Sequence, residues 1–210
     1  MTDNYRDLTL GQQLRIAEIE KAGGDELDVQ TAILSVLDGR PPRELMTLPL
    51  AEYAALSAKK KFLDYPFPPG NPRTIQKAGK LHLKPTADFR SLNVAQLVDF
   101  QELCKRTDDR AIVDLLAVFY VPDGCTYGET DPSKGGYDID EVKAAILEIP
   151  APDAVAAYAF FLKKFGRSFR RTLSSFRFRK NVVTMSPDMM ALRRRFQQIL
   201  SPQSGDGSTQ

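Results

Sequence analysis

The side chains of this sequence that could perform acid–base or nucleophilic chemistry show no recognisable catalytic arrangement. His82 is the only histidine, and the sequence offers no partner that would make it a catalytic base. Cys104 and Cys125 lie outside metal-ligand spacing and are expected to be free thiols. No G-x-S-x-G motif supplies a serine nucleophile. The sequence therefore predicts no enzyme, metal site or cofactor, although a glycosidase that uses only carboxylates stays open.

A glycine-rich, partly acidic loop at residues 124–136 is the next candidate for a ligand site. Its glycines are not followed by the GK[ST] triplet of a phosphate-binding loop. Gly135 and Val142 occupy positions where a calcium-binding EF-hand needs oxygen ligands. The carboxylates of Asp138 and Glu141 have the spacing of a helix capping box, so we expect them to start a helix rather than to form an acid–base pair.

The elements that must position these side chains are helices, and two of them begin with the same capping chemistry. The capping pairs are Thr9 with Gln12 and Asn93 with Gln96. In each pair the first side chain can accept from a helix N–H group while the glutamine bonds back to the cap residue. A second helix is expected to follow each start and to end at Gly39 or Gly124, because glycine adopts the left-handed conformation that ends helices.

Further segments extend this correspondence to about four helical segments per copy. Leu48-Pro49 and Ile149-Pro150 each close a short helical run before an Ala-rich helix. Between the copies, prolines crowd the first half of residues 64–88, and apolar and polar residues then alternate around Gly79. We therefore predict a mainly α protein with two tandem quasi-repeated four-helix units, joined by a Pro-rich link and a small β-hairpin.

The predicted organisation has five parts. They are an N-terminal helical repeat (1–63), a Pro-rich linker and β-hairpin (64–90), a C-terminal helical repeat (91–173), a basic arm with a terminal helix (174–200), and a disordered tail (201–210). Within the repeats we expect helices at 10–22, 28–37, 43–48, 50–63 and 152–173, and hairpin strands near 74–76 and 81–83. No apolar run is long enough to cross a membrane and the first residues resemble no signal peptide, so an intracellular protein without a membrane partner is expected.

Charge is distributed unevenly along the chain. Residues 163–195 hold eleven Lys and Arg against one acidic residue, whereas residues 1–162 hold 18 basic and 25 acidic residues. An acidic body thus carries a basic C-terminal segment, which points to a charged partner. The loop at 124–136 and the chain beyond Phe165 are also where the two copies differ, and we expect activity there.

Three interpretations of the basic segment compete. It is a solvated face of packed helices, or its Phe and Met side chains dock on a protein partner while its arginines pair with acids, or it binds nucleic acid. A protein partner ranks above nucleic acid because the acidic body would repel a phosphate backbone elsewhere. The predicted partner-binding residues are Phe165, Phe169, Arg170, Arg171, Phe176, Phe178, Met189, Arg193, Arg194, Arg195 and Phe196.

The segments LTLGQ, LNVAQLVDFQEL, FLDYPFPP, GKLHL and IPAPDAVAAYAFFLKKFGR carry a family resemblance. Across roughly residues 8–173 the chain resembles small structural-module proteins of tailed bacteriophages, particularly those that infect Bacteroidetes. The resemblance implies a non-enzymatic tail assembly chaperone that binds helical segments of the tape-measure protein in the host cytoplasm. A virion ring or cargo protein, a homo-oligomer and a nucleic-acid-binding protein are the alternatives.

Overall fold

The computed structural model describes residues 4–65, 67–86, 91–103, 106 and 108–175, with the side chains of that range except those of residues 164 and 166–175. These residues are mainly helical and include a small antiparallel sheet with the strand order β1-β2-β3, which confirms the expected mainly α fold. The helices are α1 (Leu10–Ala22), α2 (Glu26–Asp38), α3 (Pro42–Met46), α4 (Leu50–Lys59), α5 (Val94–Leu103), α6 (Ala111–Phe119), α7 (Ile139–Leu147) and α8 (Ala151–Ser175), and the strands are β1 (Lys77–Ala78), β2 (Leu81–Pro85) and β3 (Tyr120–Pro122). The predicted terminal helix and tail lie outside the described residues. Within those residues, no helix has both the length and the apolar character that crossing a bilayer requires.

Both predicted capping boxes are present. At the start of α1, the Gln12 N–H donates to Thr9 Oγ1 at 3.2 Å, and the Thr9 N–H donates to Gln12 Oε1 at 3.1 Å. At the start of α5, the corresponding distances between Gln96 and Asn93 are 2.8 and 3.1 Å. Two N–H groups that lack helical partners are thereby satisfied at each start, which explains why both helices begin where the sequence predicts.

The cap at α7 differs from its prediction in detail. Asp138 is the N-cap, but its side chain accepts from the Asp140 N–H at 2.9 Å rather than forming a reciprocal box with Glu141. One side chain oxygen is enough to satisfy a first-turn donor, and the acidic residues that follow favour the positive end of the helix. The acidic group is thus a helix start, as expected.

The predicted end of the second helix in the second copy was wrong. Gly39 ends α2 in a left-handed conformation (φ 83°), but α6 already ends at Phe119 and the chain continues as β3 before it reaches Gly124. β3 pairs with β2 in an antiparallel register that places Leu83 opposite Pro122. This pairing joins segments that are far apart in sequence. Because of it, residues 120–122 form a strand, although helical periodicity alone would place them in α6.

The predicted hairpin is partly correct. β1 and β2 pair on either side of Gly79, whose φ is 59°, but residues 74–76 form a 3₁₀ helix instead of a strand. Within β2, His82 is exposed and Leu83 is buried, as the alternating pattern predicts. The side chain of Ile75 is also fully buried, so the 3₁₀ turn packs its apolar residue into the core just as a strand would.

The main hydrophobic core surrounds α6, in which every residue except Asp114 is buried. At its centre the ring of Phe119 stacks on two rings of α8, with centroid distances of 4.7 Å to Phe161 and 4.5 Å to Phe165. A second, smaller cluster contains Leu8, Ile16, Ile33 and Leu37. The helices of residues 92–175 therefore hold most of the buried apolar surface that stabilises the fold.

The Pro-rich link packs against the start of α8. The Asn71 N–H donates to Asp153 Oδ1 at 2.5 Å, and the Tyr120 hydroxyl donates to the Pro72 carbonyl at 3.1 Å. At Gly70 the link approaches so closely that an added Cβ would overlap the backbone carbonyl of Pro152. Residues 70–72 are thus held by specific backbone contacts and do not behave as a free tether.

The beginnings of α1 and α8 bond to each other. The Leu10 N–H donates to the Ile149 carbonyl at 2.8 Å, and the Ala151 N–H donates to the Leu8 carbonyl at 2.7 Å. Each is the first N–H of its helix and has no partner within that helix, so the reciprocal pair satisfies both donors. We call this contact, including the buried side chain of Leu10, the closing junction.

Candidate partner-binding surfaces

Phe165 is the predicted partner-binding residue whose side chain the structure describes. Its side chain is fully buried, and its ring lies parallel to those of Phe119 and Phe161. Phe165 is therefore a core residue in this fold. Phe169, Arg170 and Arg171 belong to the helical backbone of α8, but their side chains lie outside the description. Phe176, Phe178, Met189, Arg193, Arg194, Arg195 and Phe196 lie outside the described residues.

α8 is anchored in the core along its first half and continues as a helix to Ser175. Ala151, Ala154 and Ala157 are fully buried, and Phe165 is the last of its described side chains in the main cluster. From Phe165 the helix runs on to Ser175, about 15 Å at the α-helical rise. This last part of α8 lies within the most basic segment of the sequence, and the predicted partner-binding residues continue from it along the chain.

The loop at 124–136 is held by hydrogen bonds to itself and to α5. The Thr126 N–H donates to the Gly135 carbonyl at 2.9 Å. The Tyr127 hydroxyl donates to Asp99 Oδ2 at 2.7 Å, and Asn93 Nδ2 donates to the Tyr127 carbonyl at 2.8 Å. Burial, reinforced by the bond to Asp99, holds the pKa of Tyr127 far above its usual range. The phenol therefore keeps its proton and fixes the loop as a donor, rather than acting as an acid or base near neutral pH.

A group of four charged side chains connects the start of α6 with α7. Arg106 donates to Asp108 at 2.7 Å and also to Asp114, which Lys143 contacts at 2.9 Å. The hydrogen bond from Arg106 lowers the pKa of Asp108. Burial would raise the pKa of Asp114, but the bonds from Lys143 and Arg106 outweigh it and lower that pKa. These carboxylates stay ionised and paired, which is the arrangement of a structural ion network.

In the described part of the chain, His, Cys, Asp and Glu do not come together in groups of three or more that could hold a metal ion. Cys125 is a free thiol and partly exposed, and Cys104 lies outside the described residues.

Two surfaces expose apolar side chains that the sequence interpretation missed. On α5, Val94 and Val98 are 77% and 50% exposed and lie one helical turn apart, and we call them the α5 face. Where α3 meets α4, Met46 and Leu50 are 56% and 82% exposed, and we call them the α3–α4 corner. The sequence did contain a signal for the α5 face. α5 has more apolar residues than are needed for its buried side, which includes Phe100.

Comparison of the chain with models of protein families, with curated proteins and with solved structures finds no match in any of the three.

Proposed function

We propose that this protein is a non-enzymatic assembly protein of a tailed bacteriophage, and that it acts as a tail assembly chaperone. Its client is a helical segment of the tape-measure protein. The observation that carries the proposal is the course of α8, which is anchored in the core through Phe165 and continues as a helix to Ser175 within the basic segment.

The chemistry of the basic segment suits an amphipathic, acidic helix. Phe176 and Phe178 alternate with arginines, and Arg193, Arg194 and Arg195 precede Phe196. Apolar side chains can cover the client's apolar face while guanidinium groups pair with carboxylates at its edge. Covering such helices keeps them from aggregating until the tail assembles, which is the task of a tail assembly chaperone.

Co-expression of the full chain with the tape-measure protein of the same phage tests the proposal. We expect a soluble complex, and we expect the triple variant Arg193→Gln, Arg194→Gln, Arg195→Gln to weaken it about tenfold, since each lost rim charge is worth about 0.5 kcal/mol. The matched control neutralises Lys59, Lys60 and Lys61, which lie at the end of α4 and in the 3₁₀ turn that follows, and should leave binding unchanged.

Other outcomes point to other functions. Two well-folded proteins that elute separately would contradict the chaperone proposal. Binding to DNA that disappears in the triple arginine variant and falls steeply with salt would instead support a nucleic-acid-binding protein. Mass spectrometry of purified virions separates a chaperone, which is absent from them, from a ring or cargo protein, which is present.

We also propose that the body consists of two quasi-repeated units, in which α1 to α4 correspond to α5 to α8. The support comes from the two capping glutamines, which make the same second contact. Gln12 Nε2 donates to the Val36 carbonyl of α2 at 3.1 Å, and Gln96 Nε2 donates to the Val118 carbonyl of α6 at 2.7 Å. Each first helix is thus fastened to its second helix by the same side chain at the same position of its cap.

Burial along the second helices supports the same correspondence. The buried side chains of α2 are Thr31, Ile33, Leu34 and Leu37, and their counterparts in α6 are Val113, Leu115, Leu116 and Phe119. This register places Val36 opposite Val118, so it differs by three residues from the alignment of Gly39 with Gly124. Pro49 and Pro150 align the last helices. Four residues before each proline lies a fully buried side chain, Leu45 or Ile146.

A further inference from the structure

The closing junction covers one apolar helix start within the chain. Leu10 is buried against α7 and α8, and Leu14 packs on the edge of the same cluster. On the receiving side, Leu147 is partly covered and Ala151 is fully buried. At Gly11 the two sides approach so closely that an added Cβ would lie 3.3 Å from the Leu147 carbonyl oxygen. The junction is therefore a packed interface between a helix start and a helix–helix corner.

This inference rests on the proposed repeat. In that repeat, the helix start and the helix–helix corner that form the closing junction each have a counterpart elsewhere in the chain. The capping pairs align Val94 and Val98 of the α5 face with Leu10 and Leu14. The two prolines align the α3–α4 corner, Met46 and Leu50, with Leu147 and Ala151. All four of these counterparts are exposed, whereas the junction residues are partly or fully buried. Each molecule thus carries one uncovered helix start and one uncovered corner.

We propose that the α5 face of one molecule docks on the α3–α4 corner of a second copy, and so repeats between chains the contact that the closing junction makes within one chain. The occupant is a second copy because the two surfaces are counterparts of the two sides of an interface that this sequence already forms.

The backbone offers the same complement. Leu50 and Val94 are the first residues of α4 and α5, and within the described part of the chain their N–H groups have no protein acceptor. At the closing junction the equivalent donors, Leu10 and Ala151, are satisfied by carbonyls across the interface. In the docked pair, the Val94 N–H of one molecule donates to the Leu48 carbonyl of the second molecule. The Leu50 N–H of the second molecule donates in return to the Leu92 carbonyl of the first.

The contact joins two different surfaces, so it is heterologous. A molecule that uses its α5 face still has a free α3–α4 corner, and association therefore continues head to tail until a ring closes or a filament grows. A dimer related by a two-fold axis would instead use one surface on both molecules.

Electrostatics make the contact between chains weaker than the closing junction. Within the chain, Arg110 at the start of α6 pairs with Glu18 of α1 at 3.0 Å. The repeat aligns Glu18 with Glu102, and aligns the start of α6 with the start of α2, where Asp25 and Asp28 lie. Like charges then face each other, and screening them strengthens association as the salt concentration rises.

Sedimentation velocity of the full chain over a range of concentrations, at low and high salt, measures the association. We expect self-association that increases with salt. Val94→Glu and Leu50→Glu should each weaken it at least tenfold, because each places a charge in an apolar contact. Both sites are exposed, so we expect the variants to keep the fold, and a circular dichroism melt checks this. Val98→Glu and Met46→Glu are a second pair of variants that test the same two surfaces. Tyr65→Glu, at an exposed aromatic outside both surfaces, is the matched control.

Mixing the two variants is the decisive measurement. The Val94→Glu protein keeps an intact corner and the Leu50→Glu protein keeps an intact α5 face, so the mixture should form a dimer that neither forms alone and should stop there. A wild-type chain that stays monomeric, variants that still associate, or a mixture that does not dimerise would each overturn the proposal. The tape-measure protein is absent from these measurements, so their failure is separate from a failure of client binding.

Discussion

At the residue scale, Gln96 is a buried polar side chain that makes three hydrogen bonds through its amide group. It is only 4% exposed, and its Oε1 accepts from the Asn93 N–H. Its Nε2 donates to the Val118 carbonyl at 2.7 Å and to Thr86 Oγ1 at 3.2 Å. Gln12, its counterpart in the proposed repeat, is partly exposed and bonds to Thr9 and Val36 among the described residues. A buried amide that uses both its oxygen and its nitrogen in hydrogen bonds holds α5, α6 and the end of the sheet together.

Replacing these two glutamines should have unequal effects. Gln96→Ala leaves a buried carbonyl and a cap N–H without partners, and should lower the free energy of unfolding by about 3 kcal/mol. Gln12→Ala removes fewer bonds at a wetter site and should cost about 1 kcal/mol. Urea unfolding followed by circular dichroism measures both. If both variants lost the same free energy of unfolding, the difference in burial between Gln96 and Gln12 would have no effect on stability, contrary to this prediction.

Phe165 shows what spacing alone leaves open about a predicted site residue. Phe161, Phe165 and Phe169 recur every four residues along α8, and that pattern suits a core side and a docking side equally well. Whether such a ring is covered depends on where the neighbouring helix ends, and α6 ends at Phe119, whose ring reaches Phe161 and Phe165. Capping residues are predictable because their partners lie three residues away, whereas the coverage of an aromatic residue is decided by distant residues.

At the element scale, local signals placed the helices well and the sheet poorly. α1 begins and ends where the capping box and Gly23-Gly24 indicate, and Gly39 ends α2 as predicted. The predicted fourth helix, 50–63, divides into α4 and a 3₁₀ turn. β3 escaped prediction because its three residues are strand only through pairing with β2, and nothing within residues 120–122 specifies that partner.

Gly70 tests whether the Pro-rich link is part of the fold. In Gly70→Ala, the new Cβ would overlap the Pro152 backbone at the start of α8, so the link must move and its bond from Asn71 to Asp153 is lost. We expect thermal unfolding to show a loss of about 3 kcal/mol.

The control for this substitution is Gly79→Ala in the hairpin turn. There, no atom lies near the added Cβ, and only the left-handed backbone conformation (φ 59°) opposes it, which costs about 1 kcal/mol. If both variants lowered the free energy of unfolding by the same amount, the contact between the link and α8 would not contribute to stability.

At the scale of the whole molecule, buried apolar surface is divided unequally between the two proposed units. The main cluster includes nearly all of α6 and the first half of α8, whereas α4 has no buried residue. Helices with few buried contacts open locally at a lower free energy than the global unfolding of the protein. The first unit therefore depends on the second for much of its stability.

Native-state hydrogen exchange should reveal this difference. Amides of α6 should exchange only through global unfolding, and amides of α4 should exchange through an opening at least about 2 kcal/mol less costly. Mass spectrometry of peptides from 50–59 and 111–119 measures both in one experiment. Equal protection of the two peptides would show that α4 is covered in solution.

The closing junction also sets an order of events during translation. The Leu8 carbonyl receives its partner from Ala151, about 140 residues later, and a ribosome that adds roughly 5–20 residues per second needs about 7–30 s to supply it. During that time the first helix has been synthesised but the corner that covers Leu10 has not. Native closure thus waits for the synthesis of Ala151, and a nascent chain stalled before that residue cannot form the closing junction.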